Sequence, residues 1–222
     1  MTKLSLRTCY VLSVDCIVFG YIEDKLHVAL IKRKNDPFKG YWALPGGFLE
    51  GDETIEQAAE RELQEETNIS NIYLEQFGVF SKPDRDPRGR VITVALFALI
   101  PADNIELSST NDALCAQWFD INNLPTLAFD HENIYTKGVE SLQNVVRIKP
   151  IIFSLLPHKF TLGMLQNIYE QIFGVSLDKR NFRKKIQTMP YIQKTKSVLR
   201  GRKNRPAYLY QFNQAKFNGV TL

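Results

Sequence analysis

The chain has 222 residues, 44% hydrophobic and 23% charged, the proportions of an ordinary globular protein of one large domain or two small ones. Its longest apolar runs, such as "VITVALFALI", are strand-length, and its first ten residues lack a signal-peptide core, so no membrane contact and a cytoplasmic location are expected. The net charge of +4 conceals a split: residues 1–150 carry a net −7 and residues 151–222 a net +11. Such asymmetry predicts two modules with different partners, the basic one suited to nucleic acid. Cys9, Cys16 and Cys115 lie in or near apolar segments without disulfide or metal-ligand spacing, and read as buried free thiols.

In chain order, "CYVLSVDCIVFGYIEDKLHVALIKRK" predicts two strands around a turn at Glu23–Asp24. A Pro- and Gly-containing loop over residues 35–47 follows, then a helix over about 54–67. Thr54 and Gln57 make its capping box, and Ile55, Ala58, Ala59 and Leu63 its apolar stripe. Strands are predicted over 73–81 and 91–100, joined by the charged loop "KPDRDPRGR". Asp130 is expected to cap a helix running to about Val146, with His131 as a residue of its N-terminus. Strands, helix, strands, helix is an α+β pattern.

From Pro150 the character changes. Leu162, Leu165, Ile168, Tyr169 and Ile172 recur at helical spacing between a Thr161 cap and a Gly174 stop. A second helix, capped by Asp178, is basic at nearly every outward position. "YIQKTKSV", the turn "LRGRKNRP" and "AYLYQFN" then read as a hairpin. Helix, short connection, basic helix and basic hairpin form a winged helix-turn-helix pattern. The division is therefore placed at residues 1–149, including the 131–146 helix, and 150–222. Double-stranded DNA is the expected partner. Lys179, Arg180, Arg183 and Lys184 fall on the first two turns of the basic helix, where side chains reach base edges; Arg200, Arg202, Lys203 and Arg205 of the turn would lie along phosphates. One winged helix seldom binds tightly alone, so a homodimer is expected. RNA fits less well, because Phe182, Tyr191, Tyr208 and Tyr210 alternate like core positions rather than a stacking platform.

The most informative stretch is "GGFLEGDETIEQAAERELQEETNIS", residues 46–70. Glu62 and Glu66 share a helical face, with Glu65 on its edge, and like charges at that spacing repel. Gly47, five residues, Glu53, seven residues, then "RELQEETNI" resembles the signature of the Nudix hydrolases over 23 positions. The pattern departs once, with Asn68 where the family carries Gly; the site needs a left-handed backbone, which Asn tolerates best after Gly. The resemblance implies an α/β/α sandwich with a mixed sheet and a site for Mg²⁺ or Mn²⁺, hard cations that turn carboxylate repulsion into coordination. It assigns the metal to Glu62, Glu65, Glu66 and the backbone carbonyl of Gly46, and a loop-to-helix brace to Glu53 and Arg61. Glu65, Glu66 or a carboxylate outside the signature would orient the attacking water. Trp42, Phe38 and Tyr41 stand where an adenine could stack, or where loop aromatics pack on the sheet. Arg85, Arg88 and Arg90 suit phosphates, or form a solvated turn.

Beyond that signature, "ALPGGF", "RDPRG", "LAFDH", "FTLGMLQNIYE", "LDKRNFRKKI" and "RGRKNRPAYLY" are similar to segments of the Nudix-related transcriptional regulators, over about residues 10–213. That family fuses an N-terminal Nudix domain to a C-terminal winged helix, and many members sense ADP-ribose or a related metabolite through a decayed signature. This chain keeps every signature carboxylate. Two functions are therefore implied: a regulator that binds, and with its full carboxylate set hydrolyses, ADP-ribose or a related nucleoside diphosphate derivative; or a metal-dependent diphosphate hydrolase whose winged helix is only an accessory or dimerisation module.

Overall fold

The computed structural model describes residues 10–103, 105–109, 113–199, 206–217 and 219. The first apolar segment forms a hairpin of β1 (Val11–Ile22) and β2 (Lys25–Arg33), with Tyr21 opposite Leu26. Glu23 and Asp24 turn at φ 48° and 63°, the pair of positive angles that follows the natural twist of two strands.

β1 is central in the sheet, paired along both edges, and is buried on both faces by the layers packed above and below it. It pairs antiparallel with β4 (Gly46–Phe48) and parallel with β6 (Val91–Pro101), from Val11–Val91 to Tyr21–Pro101. β5 (Glu75–Phe80) closes one edge against β6, while β3 (Trp42–Ala43) and β7 (Ala113–Asp120) pair with β2. The result is a mixed seven-stranded sheet ordered β3-β2-β1-β6-β5, with β4 on β1 and β7 on β2.

Strand alternation sorts its two faces. Val14, Cys16, Val18, Leu96 and Ile100 meet Ala58, Ala59 and Leu63 of α1 (Ile55–Thr67). Ile17, Phe19, Tyr21, Ala95, Phe97 and Leu99 meet Ile134, Leu142 and Val146 of α2 (His131–Val146). The capping box is formed as expected, with Gln57 N–H donating to Thr54 Oγ1 and Thr54 N–H to Gln57 Oε1. Asn68 ends α1 at φ 60°, in the left-handed region.

A 3₁₀ segment (Pro150–Leu155) leads to β8 (Phe160–Thr161), α3 (Leu162–Phe173), α4 (Lys179–Gln187), β9 (Ile192–Leu199) and β10 (Ala207–Phe212), the last two flanking the expected turn. The small sheet runs β8-β10-β9. Thr161 accepts from Met164 N–H (3.1 Å), Gly174 stops α3 at φ 65°, and Asp178 accepts from Asn181 N–H (2.8 Å). Leu165, Ile168 and Ile172 of α3 belong to the same apolar cluster as α2 and the upper part of the β1–β2 hairpin.

Three expectations need correction. The strand expected over 73–81 spans Glu75–Phe80, and β3, β4 and β7 add three strands the sequence pattern did not disclose. Asp130 stands at the N-cap of α2 without a side-chain capping bond, because its carboxylate is turned to Arg85. Cys16 is buried, but Cys115 is exposed, as is its neighbour Leu114, because this end of β7 is uncovered. Cys9 and the turn residues Arg200, Arg202, Lys203 and Arg205 lie outside the described residues. Among the described residues no helix is long and apolar enough to cross a membrane.

Candidate functional site

A cleft of about 290 Å³ opens where the β1–β4 pairing meets α1 and the loop after β5. Its acidic wall is the signature helix. Glu62 and Glu66, one turn apart, both line it. Glu66 is 6% exposed, and its Oε2 accepts from the amide of Gly46 (2.8 Å). A Cβ on Gly47 would collide with the Glu62 carboxylate, so glycine there lets the turn and the helix carboxylate approach.

Arg61 organises that approach. It is bidentate to Glu53 (Nε–Oε1 2.7 Å, Nη2–Oε2 3.0 Å), donates to Glu62 Oε1 (2.8 Å) and reaches the Phe48 carbonyl (3.0 Å). The hydrogen bonds from Arg61 hold the Glu53 carboxyl below the usual carboxylate range. The loop-to-helix brace expected of Glu53 and Arg61 is thus the arrangement found. Glu65, about half exposed, sits 3.8 Å from Arg61 at the rim rather than among the lining residues.

The opposite wall is a buried ion network. Arg85 is bidentate to Asp130 (2.9 and 3.2 Å) and reaches Asp15 Oδ2 (3.1 Å) from the middle of β1. Asp15 Oδ1 lies 3.3 Å from His131 Nε2. The amide of Leu44 donates to His131 Nδ1 (2.9 Å), so Nδ1 carries no proton and the Nε2–H points at Asp15. Burial pushes the His131 pKa down, keeping this neutral tautomer. With its donors committed to two carboxylates, Arg85 is part of the wall.

The mouth is cationic and aromatic. Arg33 and Arg88 both lie over the ring of Phe129, at 4.7 and 5.5 Å from its centroid. Arg88 also grips Asp86 (2.7 Å) and covers Phe48 (4.8 Å). Phe129 has φ 53°, a conformation non-glycine residues hold only when neighbours over-determine it.

Of the remaining expected residues, Gly46 lines the cleft, and the contact it makes is through its amide. Arg90 bonds the Ser81 carbonyl and covers Tyr10, outside the cleft lining. Trp42 packs edge-on against Phe119 (4.6 Å) and Phe38 against Phe129 (4.8 Å); neither is among the lining residues. Asp15, Arg33 and Phe129 are the residues the sequence reading did not single out. Asp15, a carboxylate inside "LSVDCIVF", did carry a signal; Arg33 in "IKRK" carried none.

Among the described residues no group of three His, Cys, Asp or Glu side chains forms a ready-made metal cage. Two carboxylates beside a glycine turn nevertheless fit Mg²⁺ or Mn²⁺: Mg²⁺ keeps several waters and needs only one or two protein carboxylates besides its substrate phosphates.

In the C-terminal module α4 buries Phe182 and Ile186 and leaves Lys179, Arg180, Arg183 and Lys184 exposed along its outer side. On the hairpin Lys194 Nζ lies 3.2 Å from the Tyr208 ring centroid.

Comparison with known proteins places both halves. A family model described as NUDIX domain matches residues 10–138, and one described as NrtR DNA-binding winged helix domain matches residues 152–212. The "ADPR responsive transcriptional repressor NtrR" of Acinetobacter baylyi is 38% identical over 90% of this chain and 81% of its own length. The crystal structure of Shewanella oneidensis NrtR with a 27mer DNA superposes with a TM-score of 0.79 at 31% identity, covering 95% of this chain and 97% of that one. The ADP-ribose pyrophosphatase of Methanocaldococcus jannaschii is 51% identical over 53% of this chain and 68% of its own length. The chain belongs to the family of Nudix proteins that carry an NrtR-type winged helix.

Proposed function

We propose that this protein is a DNA-binding transcriptional regulator, a repressor like its Acinetobacter relative, whose Nudix domain binds and hydrolyses ADP-ribose. The observation that carries the reading is the coexistence, in one chain, of a complete Arg-braced carboxylate cleft and a basic winged helix. Residues 1–149 form the nucleotide module and residues 150–222 the DNA module, acting in the cytoplasm as a homodimer on duplex DNA.

Glu62, Glu66 and the carbonyl of Gly46, with Glu65 at the rim, would hold Mg²⁺ or Mn²⁺. When bound, the cation neutralises diphosphate oxygens that otherwise repel an attacking water. The chain's own residues do the rest. Arg33 and Arg88 take the anionic diphosphate at the mouth, where guanidinium forks match phosphate oxygens. Arg61 fixes Glu62, and Glu53 fixes Arg61. The Asp15–His131–Arg85 network holds the far wall rigid, with the neutral imidazole adding no charge. Glu65 or Glu66 orients the water.

Incubation with ADP-ribose and Mg²⁺ is expected to yield AMP and ribose 5-phosphate, and Glu66→Gln to lose at least about 100-fold of the rate while keeping the fold. Turnover no higher than in EDTA would remove hydrolysis and leave a sensor. The alternative, a hydrolase with an accessory winged helix, is favoured by the high identity to the pyrophosphatase. It predicts that selection from random duplex DNA enriches no motif; the regulator reading predicts that it does.

A further inference from the structure

The two modules share an apolar cluster, and apolar contact is non-directional: it holds surfaces together without fixing their relative rotation. Directional polar contacts add that orientation: Gln143 of α2 donates to the Ile172 carbonyl (2.8 Å), and a denser set gathers at the turn of the β1–β2 hairpin. Asn167 and Gln171, one helical turn apart on α3, both face it. Asn167 Nδ2 donates to the Asp24 carbonyl (2.6 Å) and lies 3.0 Å from the Tyr21 hydroxyl, which itself donates to Asp24 Oδ1 (3.1 Å). Gln171 Nε2 donates to the same carbonyl (3.1 Å) and to Asn167 Oδ1 (3.1 Å), while Gln171 Oε1 accepts from the Leu26 amide (2.7 Å).

The same two strands also reach the cleft, β1 through its middle and β2 through its far end. Asp15 on β1 holds Arg85 and His131, and Ile31 and Arg33 on β2 line the cavity. Six residues of strand, roughly 20 Å, separate Asp15 from Tyr21. On the far side of the amides, α3 carries Tyr169 against Phe182 of α4 (centroids 6.1 Å apart), the helix bearing the exposed basic residues. One continuous path therefore runs from cleft to hairpin, amide pair, α3 and α4.

We propose that Asn167 and Gln171 are the positioning residues that couple the cleft to the DNA-binding helix. The pair registers α3 on the hairpin, and a ligand that shifts β1 and β2 changes how well it engages. This rests on the regulator reading above. A ligand moves such an equilibrium only by its differential affinity for the two arrangements, and typical couplings are about 5- to 150-fold.

The test uses the full-length protein in EDTA, to prevent turnover, with ADP-ribose and the duplex enriched from a random pool. The quantity measured is the ratio of DNA affinities without and with saturating ADP-ribose. Asn167→Asp is nearly isosteric but replaces the N–H donor facing the Asp24 carbonyl with an acceptor. Gln171→Glu loses the same donation yet keeps an acceptor for the Leu26 amide. The ratio is expected to fall at least fivefold toward one in Asn167→Asp, and by less in Gln171→Glu. The effect of DNA on ADP-ribose affinity should fall by the same factor, because linkage is reciprocal. A purely structural role would lower the active fraction and leave the ratio unchanged. A coupled wild type whose variants are equally coupled overturns this proposal alone; an uncoupled wild type overturns it together with the regulator reading.

Discussion

At the scale of single residues, the departure of the signature at Asn68 is accommodated by backbone geometry. Asn68 adopts φ 60°, its amide donates to Gln64 O (3.1 Å), and its side-chain oxygen accepts from Gln64 Nε2 (2.8 Å). Asn68→Gly is expected to stay within a few tenths of a kcal/mol of wild type, gaining conformational ease but losing the side-chain bond. Asn68→Val is expected to lose about 1–2 kcal/mol, since a β-branched residue pays the left-handed penalty in full. Thermal unfolding of the two variants checks this, and a Val protein as stable as wild type would refute it. Glu53, Arg61, Glu62 and Glu66 were legible in the sequence because one helix and its preceding turn bring them together through local spacing. Arg33 was not, and Asp15 showed only as a charge inside an apolar strand without its partners, because only strand pairing carries the two to the cleft. Arg85 shows the opposite hazard: in a loop of charged residues it reads as a phosphate ligand or as part of a solvated turn, yet Asp15 and Asp130, from distant segments, enclose it.

At the scale of elements, both caps of the DNA-binding module were readable, because Thr161 and Asp178 each precede a helical apolar pattern. The short strands β3 and β4 were not, being two and three residues within a Pro–Gly loop. β7 was missed because "ALCAQWFD" lacks clean alternation and rests on β2 through one buried alanine and several half-covered residues. The Asp178 cap has a functional reading of its own. It secures the first turn of a nine-residue helix that contains Lys179 and Arg180. Asp178→Ala is expected to destabilise that turn by about 1 kcal/mol. Duplex affinity should weaken severalfold as the turn frays, with ADP-ribose affinity unchanged. Titrating both ligands against the variant checks the split, and equal losses in the two affinities would contradict it.

At the scale of the whole molecule, the apolar cluster joining Tyr21 and Leu26 of the large sheet to Leu165, Ile168 and Ile172 of α3 removes the option of independent melting. Separating the modules would expose that cluster on both sides at once, a cost of about 25 cal/mol per Å² of apolar surface. The two are therefore expected to unfold as one cooperative unit, giving a single calorimetric transition whose van't Hoff and calorimetric enthalpies agree. Two resolved transitions would show that the cluster does not bind the modules thermodynamically. Cooperativity of this kind also changes what a nucleotide does for the chain. A ligand that binds only the folded form stabilises it by RT ln(1 + [L]/Kd), about 2.7 kcal/mol at a hundred times Kd. In a single cooperative unit that protection extends to α4, β9 and β10, whose described residues are not among those lining the cleft. Amide hydrogens there that exchange by global opening would slow when ADP-ribose fills a site in the other module, and the cell's supply of the metabolite would then set the lifetime of the regulator as well as its occupancy of DNA.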